Sequence, residues 1–166
     1  MKKSLYIVLI ALPFIVSSCF KTEEYGSTPV ITFDEFVPMG DSAKLIFDFT
    51  DGEGDIGLAD NQTNAPYNFG SKYYYNVYVE YLEKDDNEGY KHTLDFNGDT
   101  IAFPIRIHPI LDLDESKSIK GKIEVALTPL YYNPTSSQSD TIKYRIQLID
   151  RELHESNWIE SGEIIR

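Results

Sequence analysis

The sequence predicts an all-β protein built as an antiparallel β-sandwich of about seven or eight strands. Apolar residues recur at every second position in short segments along the chain, which is the pattern of strands that bury one face. Gly, Asn, Asp and Pro residues interrupt these segments, as turns between strands require. No segment of comparable length has the 3.6-residue spacing of an amphipathic helix.

The alternating segments lie at residues 31–35, 45–49, 73–81, 94–96, 101–105, 123–127 and 142–148. In the first of them, Ile31, Phe33 and Glu35 are placed on one face. Asn97-Gly98-Asp99 is predicted to be a hairpin turn, because Gly98 can adopt a positive φ angle. Residues 111–118 have room for a short helical turn.

The last third of the chain is typical of the F–G hairpin of immunoglobulin-like domains. Tyr144 begins a run of alternating apolar residues that ends in Asp150 and Arg151, and a loop then leads to Trp158 and a closing strand. The predicted architecture is therefore an immunoglobulin-like β-sandwich.

The N-terminus has the features of an export signal. Two lysines precede an apolar run at residues 5–16, which is too short to cross a bilayer but fits the core of a signal peptide. Small residues stand before Cys19, the single cysteine, and this segment resembles the lipobox of bacterial lipoproteins. The resemblance implies cleavage after residue 18 and lipid attached to Cys19, so that the protein is held on a membrane. The alternative is an ordinary signal peptide in which Cys19 has no role.

These features divide the chain into a signal peptide at residues 1–18, a lipidated cysteine and flexible tether at 19–29, and an immunoglobulin-like domain at 30–166. Residues 20–24 resemble the acidic surface-export signals of Bacteroidetes lipoproteins, although a merely solvated tether explains them equally well. The expected location is the outer membrane, on its periplasmic or cell-surface side.

Charge and cysteine content restrict the partners. The formal net charge is −12, and it becomes −14 once Lys2 and Lys3 are removed with the signal. Such a charge repels nucleic acid and favours cations or basic partners. Because no second cysteine is present, the folded domain must rely on its core, to which 12 tyrosines and 9 phenylalanines contribute.

A Gly-rich acidic segment, Asp51-Gly-Glu53-Gly-Asp55-Ile-Gly57, is the strongest candidate for a binding site. The glycines allow three carboxylates to turn toward one point, and calcium prefers such oxygen ligands. Asp60 is a further candidate ligand. Ile56 and Gln62 occupy the places of the required Gly and Glu, so the segment is not an EF-hand. The alternative is a tight turn that is acidic because the whole protein is acidic.

Asp150 and Glu152 are candidates to complete this calcium site. In an immunoglobulin-like sandwich the loops after the second and sixth strands lie at the same end. This arrangement would bring Asp150 near Asp51 if residues 90–107 form an out-and-back hairpin, because one extra strand would reverse the direction of the sixth strand. The interpretation that the sequence favours is structural, with Arg151 pairing with Asp150 as a salt bridge.

The acidic Gly-rich segment, the Asp150-Arg151 hairpin and the lipobox together resemble a family of small Bacteroidetes lipoproteins. The resemblance implies a fold and a location, but no established activity.

Catalytic motifs are poorly supported by the sequence, since the many acidic residues make any choice of a catalytic carboxylate pair uninformative. His92, His108 and His154 have no metal-binding spacing among themselves and are interpreted as surface or loop residues. The expected function is therefore non-catalytic binding or a structural role, with calcium as a possible cofactor. The alternative is a glycan-degrading enzyme or a glycan-binding accessory subunit, with sugars stacking on aromatic residues at 74, 78, 131, 132 and 158.

Overall fold

The computed structural model describes residues 23–95, 97–136 and 140–166, and within these ranges the chain forms eight strands and no helix. The strands are β1 (Val30–Met39), β2 (Ser42–Asp51), β3 (Val77–Asp85), β4 (Gly89–His92), β5 (Ile119–Leu127), β6 (Thr141–Leu148), β7 (Ile159–Glu160) and β8 (Ile164–Ile165). The predicted all-β class is confirmed. The signal peptide, Cys19 and the first residues of the tether lie outside the described residues, and no described helix is long and apolar enough to cross a membrane.

Two antiparallel sheets form the sandwich. One has the order β1-β2-β5, and the other has the order β4-β3-β6-β7, with β8 also paired to β6. The orders β1-β2-β5 and β3-β6-β7 match the A-B-E and C-F-G orders of immunoglobulin domains. The fourth strand differs from the constant-type arrangement, because β4 pairs with β3 and not with β5.

The core lies between the sheets. Every second residue of β2 is buried, from Ala43 through Leu45 and Phe47 to Asp51, and these side chains face the alternating buried residues of β3 and β6. The Tyr144 hydroxyl donates to the Tyr131 carbonyl in the loop before β6. A strand-F tyrosine that bonds back to the preceding corner is a feature of immunoglobulin-like domains.

A bulge changes the expected face of β1. The pairing register with β2 shifts between Phe33 and Glu35, so Asp34 is the extra residue. Glu35 is therefore exposed and Phe36 packs against the core in its place, which corrects the predicted alternation.

The third strand begins later than the sequence pattern indicates. Residues 73–75 lie in an irregular segment outside any strand, and β3 starts at Val77 after Asn76. The Asn76 side chain bonds both backbone groups of Ile107, with Oδ1 accepting from N (2.8 Å) and Nδ2 donating to O (3.3 Å). The side chain thus fixes the backbone at the point where the strand starts.

The segments predicted as strands around residues 94–105 make only isolated bridges. Leu94 pairs with Thr100 around the turn at Gly98, whose φ is 88°, as the hairpin prediction requires. Residues 101–105 then continue beside β3. Residues 111–118 contain a turn but no helix.

One end of the sandwich is formed by residues 23–29, 51–58, 105–118 and 149–158, and we call it the acid end. The segment before β1 is attached here, because Gly52 N donates to Gly26 O (2.9 Å) and Tyr25 N donates to the Ser118 hydroxyl (3.3 Å). The β3–β4 turn and the C-terminal strand β8 lie at the opposite end.

Candidate metal site at the acid end

The first part of the site is the loop after β2. Asp51 is the last residue of β2 and is fully buried. Its Oδ2 accepts hydrogen bonds from Gly54 N (2.6 Å) and Asp55 N (3.2 Å), which folds the loop back over the strand end. Gly54 has a φ of 71°, a conformation that other residues rarely adopt. Asp55 is consequently placed beside Asp51, at 8% exposure.

The second part is the loop after β6. Asp150 is 2% exposed; its Oδ1 accepts from His154 N (2.8 Å), and its Oδ2 lies 3.0 Å from His154 Nδ1. This loop also bonds the first one, since Arg151 N donates to Asp55 O (3.2 Å) and Glu152 N donates to Asp55 Oδ2 (3.0 Å). The two loops therefore hold their acidic residues against each other.

Three buried carboxylates converge where the loops meet. Oxygen atoms of Asp51, Asp55 and Asp150 all lie within 4.8 Å of one another. Oδ1 of Asp51 and Oδ1 of Asp55 are inaccessible to solvent and have no hydrogen-bond partner among the described residues. In both residues Oδ2 accepts backbone hydrogen bonds that hold the loops, while Oδ1 has no partner in the part of the chain that the structure describes. A buried acceptor in this state is costly unless a cation or a donor satisfies it.

Burial and crowding of these carboxylates raise the pKa values of Asp51 and Asp150. Burial raises the pKa of Asp51, and the nearby charge of Asp55 raises it further, against hydrogen bonds from the loop backbone that lower it. Burial also raises the pKa of Asp150 to about 6, with Asp55 again contributing. The bond to Asp150 raises the pKa of His154. The folded chain thus holds these carboxylates where negative charge is disfavoured.

A second group of ligand atoms lies next to the first. Atoms of Glu53, Glu152 and His154 also lie within 4.8 Å of one another, and Glu53 Oε2 is inaccessible and without a hydrogen-bond partner in the described chain. Glu53 and Glu152 line an open cleft of about 340 Å³, together with Asp55, Arg151, Gln62 and Glu115 among others. This cleft opens the second group to solvent.

The long loop between β2 and β3 is tied down around the site. The Tyr67 hydroxyl donates to Arg151 O in the second loop. Arg106 donates to Ala59 O (2.9 Å), Gln62 O (2.8 Å) and Tyr74 O (2.7 Å). These bonds to backbone carbonyls hold the long loop without neutralising the carboxylates.

The structure brings together most of the sequence-predicted ligands. Asp51, Asp55 and Asp150 form the buried group, and Glu53 and Glu152 lie in the neighbouring one. Asp60 is not brought into either group. Its side chain is 88% exposed and lies 3.6 Å from His108 Nδ1, because the chain turns outward after Leu58.

The predicted salt bridge between Arg151 and Asp150 is wrong. Asp150 bonds His154 instead, while Arg151 Nη1 points to Gly57 O at 3.4 Å. His154 is the site residue that the sequence interpretation missed. Its position four residues after Asp150 was the available signal, because a tight turn of that length lets the carboxylate reach both the backbone and the ring.

The aromatic residues considered as a sugar platform are mostly integrated into the fold. Tyr131 is buried, and Tyr74 packs edge-to-face on Phe69 and Tyr75. Tyr78 and Trp158 line a shallow groove of about 270 Å³, where the Arg145 guanidinium covers the Trp158 ring at 4.3 Å.

Comparison of the chain with protein-family models, curated proteins and solved structures finds no match. The function is therefore argued from the geometry of the acid end.

Proposed function

We propose that the protein is an exported, lipid-anchored lipoprotein whose immunoglobulin-like domain has a non-catalytic binding or structural role and is stabilised by calcium at the acid end. The observation that carries the calcium part of the proposal is the convergence of Asp51, Asp55 and Asp150, with two buried carboxylate oxygens that lack a partner among the described residues. A divalent cation would satisfy both oxygens and offset the repulsion among the three charges.

Calcium fits this ligand group better than other common cations. All the buried ligand atoms are carboxylate oxygens, which suit hard cations. Calcium accepts six to eight oxygens in irregular geometry, and backbone carbonyls or water can supply the remainder. Magnesium requires a stricter octahedron and loses its water reluctantly, so it should bind more weakly.

The burial of the acids supports a non-catalytic role. Asp51 and Asp150 are at most 2% exposed, so a sugar ring cannot reach them in this conformation. Carboxylates that hydrolyse glycosides must instead flank the substrate bond. Buried acids joining two loops are better suited to hold the acid end rigid through a shared ion.

Thermal melting tests the calcium proposal, using the purified full-length protein in a non-ionic detergent. At calcium concentrations about a hundredfold above its dissociation constant, binding adds about 2.7 kcal/mol. The midpoint should rise by roughly 5–10 °C relative to chelator, given about 2–4 °C per kcal/mol for a chain of this size. Magnesium should produce a smaller shift.

Asn substitutions provide the matched controls. Asp51→Asn and Asp55→Asn should lose the calcium shift, while melting in chelator no lower than wild type because charge repulsion is relieved. Asp60→Asn changes an exposed aspartate of the same loop and should retain the full shift. If calcium raises the wild-type midpoint no more than that of Asp51→Asn, the acid end is only a structural turn.

A further inference from the structure

We infer that the acid end holds a second metal site, formed by Glu53, Glu152 and His154, which takes a divalent transition-metal ion such as Zn²⁺. Ligand atoms of all three residues lie within 4.8 Å of one another, which is close enough for one ion to contact them together. The inference extends the proposed calcium site but rests on different ligands.

The imidazole ring of His154 is oriented for metal binding by its contacts with Asp150. Its Nδ1 lies 3.0 Å from Asp150 Oδ2, and its own backbone N donates to the other oxygen of the same carboxylate. A carboxylate that accepts from Nδ1 fixes the tautomer in which Nε2 carries the free electron pair. Metal-binding histidines commonly have such a partner, which orients the ring and makes it more basic.

The carboxylates around this ring also point to a ligand. Glu53 Oε2 is inaccessible to solvent and has no hydrogen-bond partner within the described ranges. Asp55, whose carboxylate belongs to the buried group, lines the same cleft as Glu53 and Glu152, so the second group lies directly beside the first. The cleft of about 340 Å³ leaves room for water on the open side of the ion. A bound cation would satisfy the Glu53 oxygen, which lies beside the oriented imidazole.

The ligand types separate the two sites. The buried group offers only carboxylate oxygens, which suits calcium, whereas the second group adds an imidazole. Imidazole nitrogen favours zinc and other transition metals over calcium or magnesium. Two carboxylates and one histidine, with an open position toward the cleft, match the ligand number of zinc sites that retain water.

The test is calorimetric titration of Zn²⁺ into the full-length protein in detergent, with millimolar calcium present to occupy the buried group. Wild type should bind one Zn²⁺ per chain. His154→Gln and Glu53→Gln should each weaken that binding at least about tenfold, the lower limit for loss of a ligand-orienting group. Circular dichroism would establish that both variants remain folded, and NMR of the three imidazoles should show Zn²⁺ affecting His154 alone.

His108→Gln is the matched control, because His108 also lies beside an aspartate, Asp60, but at an exposed surface. It should bind Zn²⁺ as wild type does. Equal affinity in wild type and His154→Gln would overturn the second site. Asp51→Asn distinguishes the two proposals, because this variant should lose the calcium shift in melting temperature but retain Zn²⁺ binding. The calcium site and the Zn²⁺ site can therefore be disproved independently of each other.

Discussion

Asp150 is the residue whose chemistry is changed most clearly by its position. An exposed aspartate has a pKa near 3.8, but burial in the joined loops raises the pKa of Asp150 to about 6. Its hydrogen bonds to His154 act in the opposite direction and do not compensate for the lost solvation. Near neutral pH this side chain is therefore a buried charge that strongly favours a bound cation.

This pKa predicts an unusual pH dependence in the metal-free protein. Between pH 7.5 and pH 5 the folded chain gains a proton at Asp150 that the unfolded chain does not bind, so stability rises as the pH falls. The raised pKa values of Asp51 and His154 act in the same direction. Asp150 alone should contribute about 1 kcal/mol over this range, or roughly 3 °C in melting midpoint.

Melting in chelator at the two pH values provides the measurement. Asp150→Asn should lose much of the increase, since it cannot take up the proton. In millimolar calcium the order should reverse, because protons compete with the metal for the same oxygens. A metal-free wild-type protein that melts lower at pH 5 than at pH 7.5 would contradict the raised pKa values.

Among the elements, the loop after β2 depends on close contact with the segment before β5. Leu58 N donates to Ile107 O (2.9 Å) and Ile110 N donates to Ile56 O (3.2 Å), so two backbones run side by side. Gly57 lies between these bonds with a φ of 98°, and a Cβ atom there would lie 2.2 Å from His108 O. The loop therefore needs glycine both for its conformation and for its space.

Gly57→Ala should consequently destabilise the fold by about 2–4 kcal/mol, combining backbone strain with a contact that neither backbone can relieve. Gly70→Ala is the control, because Gly70 also has a positive φ (85°) but nothing within 4 Å of the added Cβ. It should cost about 1 kcal/mol. Urea unfolding measures both, and similar losses for the two variants would show that the contact at Gly57 is unimportant.

The elements also show what the sequence pattern could predict. The alternation of apolar and polar residues predicted β2, β5 and β6 correctly, because each of these strands buries one face against the opposite sheet. It failed at Tyr73–Tyr75, where three consecutive tyrosines lie in an irregular segment before β3. This segment is fixed by hydrogen bonds of Asn76 and of Arg106, which lies far away in sequence. It failed again at Asp34, because an extra residue in one strand is visible only against its partner.

At the scale of the whole molecule, the topology predicted which loops form the site but not which residues of those loops take part in it. Because two loops share one end of the sandwich, Asp150 could be placed near Asp51 on the condition that residues 90–107 form an out-and-back hairpin. The sequence could not distinguish Asp60 from Asp55, because that choice depends on where the chain leaves the acid end. The sequence also could not predict the hydrogen-bonding partner of Asp150. Both Arg151 and His154 are close to it in sequence, and only the geometry of the turn determines which of them it contacts.

Attachment of the whole molecule to a membrane is predicted from Cys19, which lies outside the described residues. Cys19→Ser should leave the protein unprocessed or unanchored, because acyl chains contribute about 0.8 kcal/mol per buried methylene and the serine cannot carry them through a thioether. Detergent phase partitioning with mass analysis measures both properties. Ser18→Ala keeps a small residue before the cysteine and should behave as wild type. A processed Cys19→Ser protein in the detergent phase would rule out the lipoprotein assignment.

The bonds of Gly26 to Gly52 and of Tyr25 to Ser118 have a consequence for orientation. They fasten the chain to the acid end only six residues after Cys19, and six residues span at most about 22 Å. Lipid on Cys19 would therefore hold the acid end within about one bilayer-core thickness of the lipid surface. Metal ions would have to reach the acid end from the narrow layer of solvent above the lipid headgroups. The concentration of metal ions in this layer depends on the charge of the lipids. The β3–β4 turn and the C-terminal strand would face outward, toward whatever the protein meets.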